Sequence, residues 1–402
     1  EDLYEVKKAD DGAYSELEAG YFVTAEQLSD YEENERVRNV DEDKSLKVFK
    51  KGSFIYRLAG REREKSASYY TPEVLTKSLV KYSLKELLKD KKADDILNIK
   101  VCEPAMGSAA FLNEAINQLS EEYLLRKQEE LGVPIDHDKY YLEKQKVKMY
   151  IADKNVYGID LNPIAVELAE VSLWLNTIYK KAYVPWFGNQ LVCGNSLIGA
   201  RKEFYEEKDL TTKKKDERWF EKAPKRLEPT KKIGDKQIYH FLLADPGMAK
   251  YDDKVIKSLA EENIKKIKEW NKTFTEPYTK DDIEQLRSLS KTIDKLFEKN
   301  LETIEEVEKL TTDNIPVWGQ GSDELMAEAK TTKEKDAIFN KYYKTEGAQN
   351  AGPYARLKMA MDYWCSLWFW PIDKADDLPD RSEFLFEMQL ILEGNIYVNT
   401  SK

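Results

Sequence analysis

Three short segments place ligand-binding residue types where strands should end. The first is Cys102-Glu103-Pro104-Ala105-Met106-Gly107-Ser108-Ala109-Ala110-Phe111-Leu112. Small residues in a strand-to-helix turn let the backbone approach a ligand closely, and the first turn of the helix offers free N–H groups to an anion. Glu103, at the strand end, is placed to meet a cation or hydroxyls. No Gly-Lys-Ser/Thr follows, so this is not a phosphate loop, and the three glycines of the dinucleotide fingerprint are missing. The second segment, Tyr157-Gly158-Ile159-Asp160-Leu161-Asn162-Pro163, sets the Asp160 carboxylate at another strand end, where a ribose diol would be hydrogen-bonded. The third, Cys193-Gly194-Asn195-Ser196-Leu197-Ile198-Gly199, follows a third strand. The Asn195 amide both donates and accepts, so it can read a purine edge.

The elements that must position these segments are legible as an alternation. Thr71 and Pro72 suit the start of a helix whose apolar residues, from Val74 to Leu88, recur at helical spacing. Ile96 to Cys102 reads as a buried strand, Ser108 to Leu125 as a helix, Val156 to Ile159 as a strand, Pro163 to Tyr179 as a helix and Leu191 to Cys193 as a short strand. Strand–helix–strand–helix–strand implies an α/β fold with a parallel, doubly wound sheet and right-handed crossovers. Residues 201–235 are lysine-rich and aperiodic, which predicts a basic linker or loop, and Ile238 to Leu243 reads as a strand closed by the turn Asp245-Pro246-Gly247. Residues 250–310 read as charged helices broken near Pro277 and Asn314. Ahead of all this, Tyr21 to Val23 and Leu46 to Phe49 read as short strands.

In this order the segments resemble motifs I, II and III of the gamma-class N6-adenine DNA methyltransferases, and Ser68-Tyr69-Tyr70-Thr71-Pro72 resembles that class's motif X. The resemblance covers residues 54–200. It implies a Rossmann-like class I methyltransferase fold with helical additions, and S-adenosyl-L-methionine as cofactor. Tyr70, Thr71 and Pro72 would hold the methionine end. Glu103, Pro104, Ala105 and Gly107 would wrap the methionine and ribose portion. Asp160 and Leu161 would meet the ribose, and Asn195 and Ser196 the adenine edge. Ala109 stands where the family commonly has glycine, and Asn195 where it has aspartate. Two further segments, Tyr239 to Ala249 and Asp362 to Pro371, resemble stretches of very large methylases of phage-defence (DISARM-like) or fused restriction–modification type. The resemblance further implies double-stranded DNA and other defence-system subunits as partners, and a prokaryotic cytoplasmic setting.

One motif is absent. These enzymes grip the target amine and stack a flipped adenine with Asp/Asn/Ser-Pro-Pro-aromatic. The chain has 13 prolines and no Pro-Pro dipeptide. The sheet is therefore expected to be incomplete in this chain, with the catalytic residues and the target-recognition part outside it and the fragment inactive alone. The rival expectation is a non-catalytic, methylase-like subunit of a defence complex. No metal is expected.

Composition sets the remaining bounds. At 402 residues and 41% apolar, the chain is long enough for more than one core. The expected divisions are an acidic segment 1–50, the cofactor-binding domain 51–200, the basic stretch 201–235, a mostly helical insertion 236–345 and an aromatic-rich helical segment 346–402. The net charge of −11 is carried by residues 1–43, which leaves the body neutral. A solvated surface segment is the simpler reading of that acidity. No run is long and apolar enough to cross a membrane. Cys102, Cys193 and Cys365 lack the spacing of a disulfide framework or zinc site and are expected to be small buried hydrophobes. His240 is expected to be structural, and the aromatic group Tyr363 to Trp370 to be core.

Overall fold

The computed structural model describes residues 2–7, 21–39, 44–53, 55, 71–180, 182, 184–321 and 330–395. The chain divides into two compact units, Glu1–Glu73 and Val74–Lys402. In the first, β1 (Leu3–Val6) pairs antiparallel with both β2 (Tyr21–Val23) and β3 (Val48–Phe49). The last strand is shorter than the expected Leu46 to Phe49, and Leu46 joins Arg38 only through an isolated bridge. Val6, Val23 and Leu28 form its small core. Glu5 is 9% exposed and pairs with Lys47 at 2.9 Å, so part of the acidity is structural rather than solvated.

Helix α1 (Glu73–Leu87) follows Thr71-Pro72 and buries Val80 and Leu84, while Val74, Leu75 and Leu79 stay exposed. The expected strand from Ile96 is then shortened. Asp95 accepts the Lys92 backbone N–H at 2.8 Å, which favours a helical turn, α2 (Ala93–Ile96), and β4 covers only Val101–Glu103. Next come α3 (Ala110–Leu131), α4 (His137–Lys154), β5 (Val156–Asp160), α5 (Pro163–Thr177) and β6 (Leu191–Cys193). The sequence gives little sign of α4, because its 18 residues carry few apolar side chains at a clear period. It is held by buried Val147, Met149, Ile151 and Ala152.

Strands β4, β5 and β6 form a parallel sheet in sequential order. Right-handed crossovers in that order put the connecting helices on one face. Register assigns Val101, Glu103, Val156, Gly158, Asp160, Leu191 and Cys193 to the helix-covered face, and Cys102, Tyr157, Ile159 and Val192 to the other. That second face has no helical layer among the described residues, and Val192 is 49% exposed. Cys102 is therefore exposed, against the expectation of burial. Cys193 is exposed as well, since it sits at the strand end beside the open loops, and Cys365 is half-buried.

The lysine-rich stretch is ordered, not a loose linker. Strand β7 (Glu203–Glu206), helix α6 (Glu207–Thr211), β8 (Lys225–Arg226) and β9 (Gln237–Tyr239) build an antiparallel sheet of order β8-β7-β9. Its anchor is Trp219, 1% exposed, whose Nε1 donates to the Ala244 carbonyl at 2.8 Å. Many of its charges pair with each other, as Lys222 does with Asp209 at 2.5 Å. The expected strand from Ile238 ends at Tyr239 and turns into a 3-10 helix at His240–Leu242.

The remainder is helical: α7 (Lys254–Leu259), α8 (Glu261–Phe274), α9 (Lys280–Thr311), α10 (Thr332–Tyr343), α11 (Glu346–Ala351), α12 (Pro353–Ser366) and α13 (Arg381–Glu393). A Thr279–Asp282 capping box starts α9, which fits the break expected near Pro277. Helices α8, α9, α12 and α13 share one core with the antiparallel sheet. His240 is structural: its Nε2 accepts the Arg201 backbone N–H at 3.0 Å, its ring meets Trp364 edge-on at 5.0 Å, and burial lowers its pKa. The Trp364 Nε1 donates to Leu243 at 2.8 Å, so this part of the aromatic segment serves as core. No described helix is long and apolar enough to cross a membrane, and no metal-ligating cluster occurs among the described residues.

Candidate functional site

Because β4, β5 and β6 are parallel and aligned, the loops at 103–109, 160–163 and 193–199 leave the sheet at one carboxyl edge. Glu103 lies opposite Gly158 in register, and Asp160 opposite Cys193. In open α/β sheets this edge is where ligands bind.

The first loop is shaped by two left-handed residues, Gly107 at φ +54° and Ala109 at φ +64°. Between β4 and α3 the chain turns sharply, and Met106, 2% exposed, plugs the turn into the core. The Met106 N–H donates to the Ile159 carbonyl at 3.0 Å. A side chain on Gly158 would put its Cβ 2.2 Å from the Met106 Sδ, so Gly158 is what allows the loop to seat on β5. Helix α3 follows Ala109, which supplies no side-chain cap; of its first-turn N–H groups, that of Leu112 meets the Glu103 carboxylate, and Ala109 caps none of them.

The Asp160 carboxylate joins two of the loops. Its Oδ2 accepts the Gly107 backbone N–H at 2.8 Å and its Oδ1 accepts that of Asn162 at 2.9 Å. The Asn162 side chain then caps α5 by accepting from Ile164 at 3.0 Å. Ionised carboxylates offer about four acceptor sites, so Asp160 retains capacity for hydroxyls. Leu161 beside it is 68% exposed.

Glu103 is half-buried and its Oε2 is buried without a hydrogen-bond partner. Burial, reinforced by the charge of Asp160 and opposed by a hydrogen bond from the Leu112 backbone, pushes its pKa up to about 7. An orphaned carboxylate oxygen beside the free end of a helix is an opening for a ligand ammonium or hydroxyl.

Asn195 is exposed, and its Oδ1 accepts the backbone N–H groups of Leu197 at 2.9 Å and Ile198 at 3.1 Å. It shapes the third loop, and its Nδ2 makes no hydrogen bond among the described residues. Ser196 is exposed next to it, and the Gly194 N–H donates to the Asp160 carbonyl at 2.9 Å. Thr71 and Pro72 precede α1 in the first unit, and Tyr70 lies outside the described residues. The structure thus brings Glu103, Pro104, Ala105, Gly107, Asp160, Leu161, Asn195 and Ser196 to one sheet edge.

Met106 and Gly158 lie within the segments read from the sequence, but their positioning roles, and Asn155 altogether, escaped that reading. Gly158 and Met106 lock the first loop. The Asn155 Nδ2 donates to the carbonyls of Leu97 at 2.8 Å and Ile99 at 2.6 Å, setting the approach to β4. The signal for Asn155 was an amide immediately ahead of an apolar strand, where only a side chain can satisfy the neighbouring carbonyls.

Residues 53–232 match the family model described as N-6 DNA Methylase, and residues 154–345 match that described as Eco57I restriction-modification methylase. Among curated proteins, a putative type II restriction enzyme and methyltransferase of Methanocaldococcus jannaschii is 27% identical over 193 residues, covering 35% of this chain and 15% of that protein. A type II restriction enzyme and methyltransferase of Escherichia coli is 30% identical over 140 residues, covering 32% of this chain and 14% of that protein. The chain therefore spans about one seventh of the length of the curated relatives it matches. Across its parallel sheet and the segment that follows, it is similar to N6-adenine DNA methylases of restriction–modification systems.

Proposed function

We propose that this chain holds S-adenosyl-L-methionine at the carboxyl edge of its parallel sheet, as part of a site-specific DNA adenine-N6 methyltransferase of gamma-class type. The observation that carries this reading is the orphaned Glu103 oxygen next to the loop that Asp160 ties down. When bound, the cofactor supplies an electrophilic methyl group. Glu103 offers a carboxylate to its ammonium or hydroxyls, and the Gly107 to Ala109 turn brings backbone close to it. The spare lone pairs of Asp160 suit a ribose diol, and the Asn195 amide and exposed Leu161 suit an adenine ring.

Transfer to adenine needs a group that grips the target amine, and no Pro-Pro motif stands in these 402 residues. In this reading that motif, the sheet strand that carries it and the DNA-recognition part come from outside the chain, and the chain alone does not methylate. The setting is restriction–modification or phage defence. The missing motif equally favours a second reading, a methylase-like scaffold that binds cofactor or partners without catalysis.

Calorimetric titration of this chain with S-adenosyl-L-methionine tests the cofactor site. The expected result is weak saturable binding, with Kd about 0.1–1 mM, further weakened by Glu103→Gln and by Asn195→Ala with the fold intact by circular dichroism. Binding of equal strength in both variants, or no heat at saturating ligand, overturns the assignment. Methyl transfer to duplex DNA by a longer protein containing this chain decides between enzyme and scaffold.

A further inference from the structure

A second cleft, about 970 Å³ in volume, lies between α9, α10 and α12 and reaches the end of α13. It belongs to a different part of the second unit from the sheet edge, and the cofactor reading makes no use of it. Four tyrosines, Tyr342, Tyr343, Tyr354 and Tyr363, stand among its lining residues. Tyr354 is 51% exposed and meets the Tyr343 ring edge-on at 6.0 Å. Tyr342 and Tyr363 have their hydroxyls fixed on Glu306 and Glu387, which leaves their rings as rigid walls.

Two cations line the same cleft without a carboxylate partner among the described residues. The Arg356 Nε is buried with no acceptor, and its Nη1 reaches only the Leu392 carbonyl at 3.5 Å. The guanidinium packs closely against Gly394, where a Cβ would lie 2.5 Å from it and where φ is +78°. Lys341 forms no ion pair among the described residues, and its ammonium lies 5.5 Å from the Tyr342 ring centroid. Lys358, the remaining cation there, is paired with Asp362. A half-buried guanidinium without a counter-charge, placed among ring faces, calls for a ligand that is both planar and anionic.

We propose that this cleft takes one unpaired nucleotide of a DNA strand, its base on Tyr354 beside Tyr343 and its phosphate toward Arg356 and Lys341. The inference rests on the DNA reading above and deepens it by adding a strand contact away from the cofactor. An apolar peptide would leave both cations uncompensated, and an inorganic anion would not use the rings. The volume sits at the upper end of small-ligand sites, roughly 300–1,000 Å³, and so has room for a base with its flanking backbone.

The test uses the full chain and a short single-stranded oligodeoxynucleotide carrying one 2-aminopurine. Binding is expected to quench the fluorescence. Tyr354→Ala and Lys341→Gln, both at the cleft surface, should each weaken binding severalfold to about tenfold, while Tyr354→Phe should bind as the parent does. Lys341→Gln should also lower the slope of log affinity against log salt by about 1. Unchanged affinity in both Tyr354→Ala and Lys341→Gln, with the fold intact by circular dichroism, overturns the proposal. Competition by free AMP at the oligonucleotide's own affinity overturns it too, assigning the cleft to free nucleotides. A parallel cofactor titration separates the two readings. Cofactor binding without quenching removes the cleft alone, and quenching without cofactor binding removes the cofactor site alone.

Discussion

The Asp160 Oδ2 accepts the Gly107 backbone N–H at 2.8 Å, across the gap between the loops that follow β5 and β4. One carboxylate therefore fixes the backbone of the turn that would face a cofactor, and any ligand contact it makes is added to a structural one. Asp160→Ala removes the acceptor of two backbone donors, Gly107 and Asn162. We expect a loss of about 1–3 kcal/mol of stability, together with weaker cofactor binding. Urea denaturation and calorimetry on the same sample check this. A change in stability with cofactor affinity intact would confine Asp160 to the structural role.

The alternation of strands and helices around this pair was legible because buried strands and amphipathic helices leave periodic traces. Leu191 to Cys193 and the Pro163 helix start fall where expected, and Glu103 and Asp160 emerge as a pair because residues at parallel strand ends converge. What was not legible depends on the far partner. Cys102 reads as a core residue until its register with Tyr157 puts it on the uncovered face. The sheet carrying β7 reads as a linker because its lysines mask a pattern that Trp219 organises from a distance. Gly158 looks like any strand glycine until Met106 is seen beneath it. The pocket's geometry is a property of contacts between segments about 50 residues apart, which local spacing does not encode.

Ala109 should be improvable. It is fully buried at φ +64°, a conformation that costs a residue with a Cβ about 1–2 kcal/mol relative to glycine. Part of that is offset by the greater freedom glycine has when unfolded. Ala109→Gly is therefore expected to stabilise the chain by about 0.5–1 kcal/mol. Ala109→Val adds β-branching in the same conformation and should destabilise. Thermal denaturation of the two variants gives opposite signs if the backbone at 109 is as described.

If Glu103 meets the cofactor as proposed, cofactor binding is expected to depend on pH. Its carboxyl is pushed up to about 7, mainly by burial and further by Asp160. A raised carboxyl pKa means the folded chain holds a proton that the unfolded chain releases nearer 4.5. Its contribution to stability is thus full below about 4.5 and declines as pH rises through 7. A cationic ligand group needs the ionised form, so binding of S-adenosyl-L-methionine should tighten as pH rises through 7. Glu103→Gln should flatten that dependence. A pH series of calorimetric titrations from 5.5 to 8.5 is the measurement, and a slope that survives in Glu103→Gln would assign the titration elsewhere.

Buried charges fasten the helices to the α/β body. Lys335 on α10 and Asp313, just past α9, pair at 2.5 Å with 1% and 5% of their side chains exposed. Asp153 on α4 faces the pair, its Oδ2 buried without a hydrogen-bond partner. Burial is the main cause that pushes the Asp153 pKa up to about 6; Asp313 adds to it, while Lys335 and Lys154 oppose it. Asp153 therefore favours folding in its protonated form, and its contribution is lost as pH rises from about 4 through 6. Asp153→Asn should stabilise the chain at pH 7 by on the order of 2 kcal/mol and remove that part of the pH dependence. Lys335→Met does the opposite, because it strands two carboxylates in a dry site, and should cost about 3–5 kcal/mol at pH 7. The double change Asp313→Leu with Lys335→Met replaces the pair with apolar volume and should recover most of that loss. Urea denaturation of the three variants at pH 5 and pH 7 checks the sign of each. If Lys335→Met were neutral at pH 7, the contact between α10 and the α/β body would have to rest on apolar packing and on the Trp186 Nε1 hydrogen bond to Asp336 at 2.8 Å, and not on charge.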